Sequence, residues 1–215
     1  MTTISAPHTT ALTTELRYLA LGDSYTIGEA VDEAGRWPMQ LARLLRMEGV
    51  LLGDPRIIAT TGWTTDELDA AITAAEPLGQ HDFVSLLIGV NNQYRGRDVE
   101  EYRTQFAALL WRASGFAGNR PDRVLVLSIP DWGVTPFGAK SGRDVAQIAR
   151  ELDAYNLAAR EACTQRGVAF VDITPVSRAR GAEPGMVADD GLHPSAAMYT
   201  EWARLAFPVA HRLLA

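Results

Sequence analysis

Five short apolar runs punctuate this chain, and each is followed by a stretch whose apolar residues return every three or four positions. The runs are residues 17–21, 56–60, 83–88, 124–129 and 168–173. They are dense in Val, Ile and Leu and show little polar alternation, as expected of strands covered on both faces in a parallel sheet. Strand followed by helix, repeated, predicts βαβ units and a doubly wound α/β domain.

The intervening helices have readable ends. Pro38 suits a first helical turn, and Trp37, Leu41, Leu44, Leu45 and Glu48 lead to a stop at Gly49. Thr64-Thr65-Asp66-Glu67 has the spacing of a capping box. Tyr102, Phe106, Leu109 and Ala113 share one face of a third helix. Val145, Ile148, Leu152, Tyr155, Ala159 and Ala162 share one face of a fourth. Trp202, Leu205, Ala206, Val209 and Leu213 do so on a last helix, which Pro208 is expected to kink.

At 215 residues, 47% of them hydrophobic, the chain can bury one sizeable core. Residues 1–14, rich in Thr and Ser, read as a flexible lead-in without the basic and apolar regions of a signal peptide, and residues 15–215 as one domain. The formal net charge of −6, with no long run of like charge, recommends neither nucleic acid nor a polybasic membrane contact. No apolar stretch approaches the roughly 18 residues that span a bilayer, so a cytoplasmic location is the expectation. Cys163, the single cysteine, excludes an intrachain disulfide, and its place on an apolar helical stripe reads as a packed thiol. Oligomeric state leaves no trace in the sequence.

In doubly wound sheets ligands bind beyond the carboxyl ends of the strands, so the strand exits are where chemistry is sought. After the first run comes Gly22-Asp23-Ser24-Tyr25-Thr26-Ile27-Gly28, a hydroxyl in a turn flanked by glycines. Such a turn suits a nucleophile whose own amide faces an oxyanion, and equally a plain loop or helix cap. After the second, Gly62 precedes the capping box, near the positive end of a helix, where negative charge is stabilised. After the third, Asn91 in Gly89-Val90-Asn91-Asn92 offers a neutral amide donor. Near the C-terminus, Asp190 stands three residues before His193, close enough to bond Nδ1 and leave Nε2 free to accept a proton. His8 falls in the lead-in, while His81 and His211 have no comparable neighbours and read as surface or structural.

Taken together these segments resemble the SGNH (GDSL-type) hydrolases, named for Ser, Gly, Asn and His in four blocks. Gly22-Asp23-Ser24 is similar to the first block, with Tyr25 where the familiar form has Leu; Gly62, Gly89-x-Asn91 and Asp190-x-x-His193 match the others. The match runs from residue 17 to about 200. The resemblance implies a three-layer α/β/α, flavodoxin-like fold with a five-stranded parallel sheet in the order 2-1-3-4-5. It also implies Ser24 as nucleophile, His193 as base, Asp190 as its partner, and an oxyanion hole of the Ser24 and Gly62 amides with the Asn91 side chain. One departure is Asn92, where the block usually carries Asp, which bears on the geometry of that loop. No Gly-x-Ser-x-Gly elbow is present.

The implied reaction is hydrolysis of a small-molecule carboxylic ester through an acyl-enzyme, of esterase, lipase or lysophospholipase type or as a carbohydrate deacetylation, with acyl length left open and no metal or organic cofactor needed. Trp63, Tyr94, Asp131 and Trp132 stand beside the strand exits as candidate pocket walls, with core packing as the alternative for each. Arg95 reads as solvated, or as a contact for an anionic leaving group. Three competitors remain at this level. One is an inert ligand-binding module on the same fold, another an acyltransferase sharing the acyl-enzyme. The third is a phosphohydrolase in which Asp23, Asp131 and Asp190 hold Mg²⁺.

Overall fold

The structure, a computed structural model, describes residues 14–215, so the lead-in and His8 lie outside the described residues except for Thr14. Five strands form one parallel sheet: β1 (Tyr18–Gly22), β2 (Arg56–Ala59), β3 (Phe83–Leu87), β4 (Val124–Leu127) and β5 (Ala169–Val171). Their order is β2-β1-β3-β4-β5, as the resemblance implied. The three inner strands are buried along their whole length, whereas the edge strands β2 and β5 are partly open. Inside the sheet Tyr18 and Ser85 share a buried hydroxyl–hydroxyl bond of 2.9 Å, so the core polar groups of β1 and β3 satisfy each other.

Helices cover the sheet: α1 (Ser24–Ile27), α2 (Trp37–Met47), α3 (Thr65–Ala75), α4 (Val90–Tyr94), α5 (Val99–Phe116), α6 (Pro136–Lys140), α7 (Val145–Arg166), α8 (Thr174–Arg180) and α9 (Ala196–Leu214). α2 packs on α9, and α5 packs against both α3 and α7. Pro38 lies in the first turn of α2, and Glu67 accepts from the Thr64 amide at 2.8 Å at the start of α3. The α5 face from Tyr102 to Ala113 is buried as predicted.

Two helical stripes need correction. Val145, the first residue of α7, is exposed because burial on this helix begins one turn later, at Ile148, and Leu205 of α9 is exposed because the buried stripe runs through Tyr199, Trp202, Ala203, Ala206 and Ala210. α9 continues through Pro208 as one element. Cys163 is buried in the core, and burial pushes its thiol up to about 12, which leaves almost no thiolate near neutral pH. His81 is also buried, its amide bonded to the Phe116 carbonyl at 2.7 Å; burial, with Arg17 nearby, lowers its pKa. That is a structural histidine.

Strand order reverses between β1 and β3, so a crevice opens beyond the carboxyl ends of these two inner strands. No helix among the described residues is long and apolar enough to cross a membrane.

Candidate active site

Ser24 is the first residue of α1, directly beyond the end of β1. Asp23 caps this one-turn helix by accepting from the Tyr25 amide at 3.0 Å, and Gly28, with φ 71°, ends it. Glycine is required at Gly22 for space: a Cβ there would stand 2.4 Å from the Leu87 carbonyl oxygen of β3. The serine is thereby held against the switch point, 4% exposed, with its amide at the open N-terminus of a helix.

Asp23 itself is fully buried. Its Oδ2 has no hydrogen-bond partner, and burial outweighs the bonds from the Tyr25 and Gly89 amides to push its pKa up to about 7.

Gly62 sits in the turn after β2 with φ 88°, a conformation that a side chain would strain. Asn91 lies in the first turn of α4, after β3, and its Nδ2 donates to the Trp63 carbonyl at 2.9 Å. An amide nitrogen carries two hydrogens, so one fixes the side chain and the second remains for a ligand. Asn92 turns the other way, fully buried, and joins α4 to Thr65 at the start of α3.

His193 arrives from the segment before α9. An antiparallel bridge between Val187 and Pro194, the Ala188 amide on the His193 carbonyl at 2.8 Å, and the Phe137 amide on the Gly191 carbonyl at 2.9 Å brace that segment. Asp190 Oδ1 accepts from the amides of Leu192 (2.8 Å) and His193 (2.9 Å), while Oδ2 lies 2.6 Å from His193 Nδ1. Partial burial disfavours the Asp190 charge, but the bonds from the imidazole and the two amides prevail and hold its pKa below the ordinary carboxylate range. An ionised carboxylate can only accept, which puts the proton on Nδ1 and the free lone pair on Nε2.

Ser24, Gly62, Asn91 and His193 all line one cavity of about 210 Å³. Ser24 and His193 face it without a direct hydrogen bond between their side chains; such contacts often tighten only when substrate is bound. Of the four candidate wall residues, Tyr94 and Trp132 line the cavity. Trp63 packs against the core and offers its carbonyl to Asn91, and Asp131 turns away to cap Gly133 and pair with Arg178 at 2.8 Å. Arg95 donates to the Gly62 carbonyl and to Glu67.

The cavity has further walls that the sequence reading passed over: Tyr25, Thr61, Val90, Phe137 and Leu192. Tyr25 and Leu192 adjoin Ser24 and His193 in sequence, and that adjacency was the available signal; Phe137 had none. Tyr25 sets the edge of its ring against His193, with centroids 5.9 Å apart. Tyr94, Trp132 and Phe137 form an aromatic cluster, and Trp132 Nε1 is pinned by Gln93 at 2.8 Å.

The three carboxylates of the Mg²⁺ reading are each engaged elsewhere: Asp190 with His193, Asp131 with Arg178, and Asp23 buried against backbone amides. Among the described residues, no group of three His, Cys, Asp or Glu side chains could hold a metal ion.

A family model described as GDSL-like Lipase/Acylhydrolase matches residues 20–200. Among solved structures, TesA superposes with a TM-score of 0.70 at 21% identity, covering 92% of this chain and 99% of its own. A lipase/acylhydrolase from Enterococcus faecalis gives 0.70 at 18%, covering 93% and 97% respectively. An acetylxylan esterase from Geobacillus stearothermophilus gives 0.68 at 20%, covering 91% and 94%. At these identities the likeness is one of fold. Among curated proteins no relative of the chain is found.

Proposed function

As a member of the GDSL-like lipase/acylhydrolase family, the chain is a carboxylic ester hydrolase, and we propose that it works through a Ser24 acyl-enzyme on small esters of short acyl groups. The observation that carries this reading is the meeting, in one cavity, of four groups from four separate segments: Ser24, Gly62, Asn91 and His193. No periodicity or local packing need brings a hydroxyl, two oxyanion-type donors and a carboxylate-bound imidazole together.

In the proposed reaction, His193 Nε2 takes the Ser24 proton as Oγ attacks the ester carbonyl. The carbonyl oxygen, now negative, is held by the amides of Ser24 and Gly62 and by the second hydrogen of Asn91 Nδ2. Asp190 stabilises the imidazolium that forms and keeps its orientation. His193 then gives its proton to the departing alkoxide, and water enters to release the acid by the same steps in reverse.

The size of the acyl group follows from the walls. About 210 Å³ is below the ~300–1,000 Å³ of sites for drug-sized ligands, and Tyr94, Trp132 and Phe137 close one side with rigid rings. A ladder of nitrophenyl esters from acetyl to octanoyl tests the proposal, with Ser24→Ala alongside. The fastest turnover belongs to the shortest members and vanishes in the variant; a preference for octanoyl, or hydrolysis that survives Ser24→Ala, contradicts it.

A further inference from the structure

Arg95 caps the C-terminus of α4 and does not line the cavity, yet its guanidinium reaches across to the turn after β2. Nη2 donates to the Gly62 carbonyl at 2.6 Å, and Nη1 lies 3.2 Å from Glu67, the residue that closes the start of α3 on the Thr64 amide. One residue further on, the Trp63 carbonyl accepts from Asn91 at 2.9 Å. Two consecutive carbonyls of one turn are thus gripped by two side chains from α4 and its cap.

We infer that Arg95 is a positioning residue for the oxyanion hole, bracing the Gly62 turn against the helix that carries Asn91. The inference rests on the proposed roles of Gly62 and Asn91. Two donors on separate loops act together only if their spacing is fixed before the oxyanion forms, since preorganisation is what gives such a hole its effect. Gly62 cannot fix itself: its φ of 88° is a glycine conformation, and among the described residues beyond its two chain neighbours an added Cβ would come within 4 Å only of Arg95 Nη2, at 3.9 Å. The planar guanidinium bonds the carbonyl and the carboxylate at once, which a lysine ammonium does less well.

The test uses the full chain, with active sites counted by a fluorophosphonate and rates expressed per titrated site. Arg95→Ala is expected to lower kcat on nitrophenyl acetate by about 10- to 100-fold, the scale on which misplacement of reacting groups acts. KM stays within about twofold, as for an interaction made in the transition state. Arg95→Lys recovers part of the loss. Affinity for a boronic acid that mimics the tetrahedral adduct falls in parallel with kcat/KM. In an Asn91→Ala background the same substitution costs less than it does alone, because both side chains grip one turn.

An unchanged kcat per titrated site in Arg95→Ala overturns the inference, as does a rise in KM alone, which would make Arg95 a substrate contact. Hydrolysis surviving Ser24→Ala instead overturns the underlying reading, so the two failures are distinguishable.

Discussion

Asn92 and Thr65 bond each other twice: the Thr65 amide donates to Asn92 Oδ1 at 3.1 Å, and Asn92 Nδ2 donates back to Thr65 Oγ1 at 2.7 Å. The Thr65 hydroxyl passes its own hydrogen on to Gln105 of α5. The residue where the chain departs from the usual block therefore has a neutral, fully buried partner set of its own, tying α4 to the start of α3. An Asp here could only accept, so the threonine hydroxyl would have to reverse and release Gln105.

Asn92→Ala is accordingly expected to lower stability by about 1–3 kcal/mol, because it leaves the buried Thr65 amide without its acceptor and removes the donor to the Thr65 hydroxyl. Denaturant unfolding reads this directly. Stability within about 0.5 kcal/mol of wild type, the range of ordinary surface substitutions, contradicts the assignment.

Asp190→Asn should preserve the loop and damage the reaction. The asparagine oxygen still accepts from the Leu192 and His193 amides, so its NH₂ faces His193 Nδ1 and forces the imidazole proton onto Nε2. The expected fall in kcat is about 10⁴-fold, as for the wrong tautomer in other serine triads. Steady-state kinetics on a nitrophenyl ester measures it, and a loss of about tenfold or less removes Asp190 from the proposed role.

Asp23 makes stability depend on pH in the direction opposite to a paired carboxylate. In the unfolded chain it loses its proton near 3.8, whereas burial holds the proton in the fold until about 7. Between those values the folded state binds more protons than the unfolded one, so this group's contribution to stability declines as pH rises across that window. The loss is on the order of a few kcal/mol, at about 1.4 kcal/mol per pH unit. Asp23→Asn does not titrate, so its stability relative to wild type should climb from pH 4 to 7 and then level off. Unfolding of both proteins across that range checks it; a constant difference contradicts it.

How much of this was legible in the sequence differs by element. The inner strands were, because parallel strands buried on both faces leave uninterrupted apolar runs such as Phe83–Leu87. α1 and α4 were not, since helices of four and five residues are too short to show a period, and they appeared only as polar turns around Ser24 and Asn91. Ser24, Gly62, Asn91 and His193 stood out by their places at strand exits, and they share a cavity. Trp63 and Asp131 stood beside the same exits but point elsewhere, because the direction of a side chain at a strand end depends on what the next helix packs against. Phe137 came from a helix that carries no strand-exit signal at all.

The proposed chemistry depends most on Ser24 being an activated nucleophile. The direct measurement is mass spectrometry of the intact protein after exposure to an organophosphonate, with residual esterase activity followed in the same samples. One adduct per chain, mapped to Ser24, formed in step with loss of activity and absent from Ser24→Ala, is the predicted result. Activity persisting in fully exposed protein with Ser24 unmodified, or inactivation with the adduct on another residue, would contradict it.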